Sequence, residues 1–85
     1  MKQNRYVLCV SGERTARQTL NGAIVCMSAS LTRTFLSNEE GTHFFFRYRS
    51  DARLVLRKVA RSVRGRVLSD TLEYGGARAR VSKCA

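Results

Sequence analysis

The segment Gly12-Glu13-Arg14-Thr15-Ala16-Arg17-Gln18-Thr19-Leu20-Asn21-Gly22-Ala23-Ile24-Val25-Cys26-Met27-Ser28 decides the fold. Read as a helix, it brings Ala16, Leu20, Ala23, Ile24 and Met27 to one face, at steps of four, three, one and three. Gly22 would then lie inside the helix, at about 1 kcal/mol relative to alanine. Two other readings compete. The helix can stop at Asn21, with Gly22 as its C-terminal cap and a strand from Ala23. Alternatively, Asn21-Gly22 is a tight hairpin turn between two strands. We adopt a helix starting near residue 13. Ser11 is placed to cap it, with Glu13 in its first turn.

Outward from this segment the pattern is clearer. Residues 5–10, Arg-Tyr-Val-Leu-Cys-Val, are nearly all β-branched, aromatic or apolar, as in a central strand buried on both faces. Residues 30–37 and 42–49 read as a hairpin around Asn38-Glu39-Glu40-Gly41. Residues 51–64 are a helix capped by Ser50 or Asp51. Its apolar stripe is Ala52, Val55, Leu56, Val59, Ala60 and Val63, and Gly65 stops it. Residues 66–73 read as a strand, Gly75-Gly76 as a turn and 77–83 as the returning strand.

The chain is therefore expected to be a single small domain over residues 1–85. Its class is α+β, an antiparallel sheet with one or two helices on one face. The strand order is ferredoxin-like, βαββαβ, with an extra C-terminal strand. If the first helix is instead a hairpin, the fold becomes a β-meander plus one helix.

The composition narrows the function. The 85 residues carry 13 Arg, 3 Lys and 6 acids, a formal net charge of +10. So large a surplus on a short chain repels itself and is best tolerated beside a polyanion. Arginine grips phosphate with a planar fork and also stacks on rings. The longest apolar runs are five residues, far short of the roughly 18 needed by a membrane helix. No membrane partner and a cytoplasmic location are the expectations. Cys9, Cys26 and Cys84 form neither a disulfide framework nor a CxxC pair. Cys9 and Cys26 read as small core residues and Cys84 as exposed. No metal site is expected from these thiols and His43, which are widely scattered.

Three groups of residues carry the functional reading. On the strand 43–49, alternation places Phe44, Phe46 and Tyr48 on one side and His43, Phe45, Arg47 and Arg49 on the other. An open sheet face with an aromatic and arginines stacks single-stranded bases. Phe45 and Tyr48 are the stacking candidates. The spacing of the aromatics does not fit the RNA-recognition motif, and no family is assigned. The second group is the row Arg53, Arg57, Arg61 and Arg64, with Lys58 to one side and Asp51 the only acid in the segment. Leu54 lies near this polar side. The third is the C-terminal hairpin, where Arg78 and Arg80 share one face of their strand.

Catalysis has little support. His43 is the only histidine and has no visible nucleophile or orienting acid. No phosphate-binding glycine loop is present and no cofactor is implied. The expectation is a non-enzymatic domain that binds RNA or single-stranded DNA, alone or within a nucleoprotein complex. Its contacts are Arg47, Arg49, Arg53, Arg57, Arg61, Arg64, Arg78 and Arg80. The alternative is a small protein-binding inhibitor or regulator, of the kind that phage and mobile elements direct at host defence complexes, docking on an acidic surface. A homodimer through the open sheet face would compete for the same aromatics.

Overall fold

The computed structural model describes residues 5–28, 32–38 and 41–84, and of 32–38 the backbone. The elements are β1 (Tyr6–Gly12), α1 (Arg14–Met27), β2 (Thr32–Asn38), β3 (Gly41–Phe46), α2 (Arg49–Val63), β4 (Arg66–Leu68), β5 (Thr71–Tyr74) and β6 (Ala77–Lys83). The class is α+β, and the antiparallel sheet runs in the order β2-β3-β1-β6-β5-β4.

The helical reading of residues 12–28 holds, and the β-meander alternative is ruled out. Gly22 lies within α1 on its exposed side, so it leaves no gap in the core. The cap is Glu13 rather than Ser11. Its carboxylate accepts from the backbone N–H groups of Thr15 at 3.0 Å and Ala16 at 2.8 Å. Both bonds lower the Glu13 pKa. Gly12 has φ +108°, and a Cβ there would meet the Gly76 carbonyl oxygen at 2.4 Å. That close approach lets the Glu13 N–H donate to the same oxygen at 3.1 Å, tying the start of α1 to the β5–β6 turn.

One face of the sheet carries both helices. Leu8, Val10, Phe44, Phe46, Leu72, Ala79 and Val81 form one core with Ala16, Leu20 and Ile24 of α1 and Ala52, Val55, Leu56 and Val59 of α2. Phe44 and Phe46 are fully buried there, each worth about 1.5–3 kcal/mol of apolar burial. The opposite face holds the alternate residues. Register places Phe45 beside Val7, and Cys9 between His43 and Arg80.

Several boundaries differ from expectation. The strand read over 66–73 is broken by a turn at Ser69-Asp70, where Ser69 takes φ 57°. The terminal strand, not this segment, pairs with β1, and β5 and β4 extend the sheet beyond it. The additional strands therefore lie between α2 and β6 in sequence. α2 begins two residues early, with extended Tyr48 as its N-cap, so Ser50 and Asp51 fall in the first turn. At its other end Arg64 takes the left-handed conformation, φ 58°, in place of Gly65. Gly65 is required for a different reason. A Cβ there would stand 2.5 Å from Cδ1 of Leu72, where α2 turns down onto β5. Cys26 is exposed and Cys9 half-buried on the open face, so neither is a core residue, and Cys84 is half-buried rather than exposed. The expected turn residues Glu39 and Glu40 lie outside the described residues.

Candidate nucleic-acid interface

The basic residues divide between the two sides of the sheet. On the helical side, Arg49, Arg53, Arg57, Arg61 and Arg64 are exposed along α2, on the flank of its buried stripe that faces β4 and the β4–β5 turn. Arg53 to Arg64 covers about 16 Å of helix axis at 1.5 Å per residue. The C-terminal half of this row opens onto the edge strand. Arg57, Arg61 and Arg64 line a groove of about 440 Å³ together with Ala60, Gly65 and Val67. No carboxylate of the described residues lines it. Among the described residues, none of these three arginines has an acid within ion-pair distance.

The N-terminal half is different, because Asp70 reaches it from the β4–β5 turn. Arg49 Nη2 donates to Asp70 Oδ2 at 2.6 Å, and Arg53 Nε lies 3.1 Å from Oδ1. The Asp70 main chain is itself fixed, since Val81 N–H donates to its carbonyl at 2.9 Å. The Arg49 hydrogen bond, aided by the positive charges of Arg49, Arg53 and Arg57, holds the Asp70 carboxyl below its ordinary value against the opposing effect of burial. The same contact raises the Arg49 pKa. Two arginines of the expected contact set are thus already engaged.

Arg47 and Arg49 do not share the open sheet face with Phe45, as strand alternation implied. The strand ends at Phe46, Arg47 sits in the bend, and Arg49 starts α2. Arg47 stacks instead on Tyr48, its Cζ 5.2 Å from the ring centroid. Tyr48 is 54% exposed at the helix start, and Leu54 is 44% exposed. On the open side remain Phe45 and His43, half-buried, with exposed Arg78 and Arg80. Arg78 Nη2 lies 3.6 Å from Glu73 Oε2, a solvent-exposed pair of little energetic weight. Burial pushes the Cys9 thiol upward, reinforced by Cys84 and opposed by Arg80, which disfavours the nucleophilic thiolate.

Sequence reasoning missed Asp70, Gly65 and Val67 as parts of this surface. Asp70 lies 21 residues from Arg49, and no local spacing relates them. The described residues contain no group of three or more metal-ligating side chains. No described helix is long and apolar enough to cross a membrane. No family model matches the chain, and neither a curated protein nor a solved structure matches it.

Proposed function

We propose that this chain is a non-enzymatic nucleic-acid-binding domain that holds the phosphates of RNA or single-stranded DNA along α2. The observation that carries the reading is the carboxylate-free groove formed by Arg57, Arg61 and Arg64 against the β4 edge. Three guanidiniums on successive helical turns offer bidentate donors at steps of about 5–6 Å. They form a single row, which suits one sugar-phosphate backbone; a duplex presents two. Tyr48 lies at the far end of the same helix with much of its ring in solvent, placed to stack an unpaired base. Phosphate contacts of this kind give affinity with little sequence reading.

Fluorescence anisotropy with a short labelled RNA tests the proposal. Binding that weakens steeply with salt is expected, and R57E/R61E should remove the part of it held on α2 while circular dichroism is unchanged. If the double variant binds as tightly as the parent, α2 is not the contact surface. If the parent fails to bind at low salt, the charge serves another partner, and nuclease-resistant capture of an acidic protein would favour the inhibitor reading.

A further inference from the structure

We infer that the open face of the sheet is a second nucleic-acid site, one that stacks unpaired bases on β3 and holds their phosphates on β6, so that one chain grips two strands at once. The first argument is the layout fixed by register. Phe45 pairs with Val7, and Val7 with Ser82. His43 pairs with Cys9, and Cys9 with Arg80. Cross-strand partners share a face, so the aromatic and imidazole rings of β3 adjoin an apolar floor on β1, and the arginines stand on the next strand. Strands lie about 4.8 Å apart, which separates the rings from the arginines by roughly two spacings. Bases on the rings would then carry their backbone toward β6.

The second argument is charge. The adjoining row across the sheet is Arg78, Glu73 and Arg66. With Arg80, these rows carry three arginines against one carboxylate among the described residues. A second copy docked face to face would double that surplus without neutralising it, whereas phosphates neutralise it. The third argument is position. Both helices cover the other face, so the sheet itself separates this platform from the α2 groove. A short strand engages one or the other.

This inference extends the proposed function but stands on different residues, and two double variants separate them. Native mass spectrometry with a six-nucleotide oligouridine reads the stoichiometry directly. Two hexamers per chain are expected for the parent, falling to one in R57E/R61E and to one in R78E/R80E. In the R57E/R61E background, F45A should weaken the remaining site at least about five-fold, the lower bound for one stacked base. F45L, which keeps an apolar side chain but removes the ring, should weaken it similarly and guards against a packing defect. One hexamer per chain, lost in R57E/R61E, overturns this inference and leaves the α2 reading intact. No hexamer on any variant overturns both. Two hexamers with no effect of F45A, F45L or R78E/R80E place the second strand elsewhere and overturn it too. So does a concentration-dependent dimer that shields the Phe45 resonances, or an acidic peptide that outcompetes the hexamer in R57E/R61E.

Discussion

Asp70→Asn should increase the salt dependence of nucleic-acid binding. In the parent, Arg57, Arg61 and Arg64 are open to phosphate, whereas Arg49 and Arg53 are held by Asp70 at 2.6 and 3.1 Å. An arginine neutralised by a carboxylate contributes no net counterion release until it leaves that partner. For single strands the slope of log K against log salt is about −0.7 per phosphate neutralised, so three arginines give about −2 and five about −3.5. Raising salt from 50 to 200 mM should therefore weaken the parent about 20-fold and the variant about 130-fold. The assay is anisotropy with a short labelled RNA in an R78A/R80A background, so that only the α2 surface is read. Circular dichroism and a thermal melt check that the fold survives the substitution. A slope that stays near −2 would show that Arg49 and Arg53 do not face the strand. A weaker affinity at every salt, with unchanged slope, would mean that Asp70 organises the surface rather than masks it. Either result refutes the reasoning.

Further outcomes follow from the same contacts. The Asp70 carboxyl titrates below its ordinary value of 3.8 in the folded chain, so its stabilisation is present above that pH and is lost as pH falls through the folded pKa. Thermal melts should show the parent's advantage over D70N closing progressively below pH 3.8. Gly65→Ala drives a methyl toward the buried Leu72 side chain and should destabilise by about 1–3 kcal/mol. For a domain of this size each kcal/mol lowers Tm by about 4–8 °C, measurable by calorimetry. Glu13→Ala removes the acceptor for the Thr15 and Ala16 N–H groups. Hydrogen exchange at those two amides should accelerate while the amides of α2 stay protected.

Much of the fold was legible in local pattern, because helical and strand periodicities are properties of short segments. The stripe from Ala52 to Ala60 is a helix face whatever it packs against, and it consigns Arg53, Arg57, Arg61 and Arg64 to the polar arc. The alternation around Phe44 and Phe46 likewise assigns them to the core and Phe45 to the opposite side. The hairpin of β2 and β3 joins neighbours in sequence, so its pairing costs little loop entropy.

What local pattern leaves open is decided by packing between distant segments. The break at Ser69-Asp70 divides a continuous strand-like run: Ser69 takes φ 57°, the chain reverses, and β5 pairs with β4 on one side and β6 on the other. That break also delivers Asp70 to Arg49 and Arg53, so tertiary structure alone separates engaged arginines from available ones. The helix begins at Arg49 and not after Asp51, which takes Arg47 and Arg49 off the strand and away from Phe45. Sequence by itself determined that this chain is basic, α+β and arginine-faced. Only the tertiary structure decided that its cations lie on two opposite surfaces, because the face a strand presents depends on where the helices dock, and no spacing within a strand records that choice.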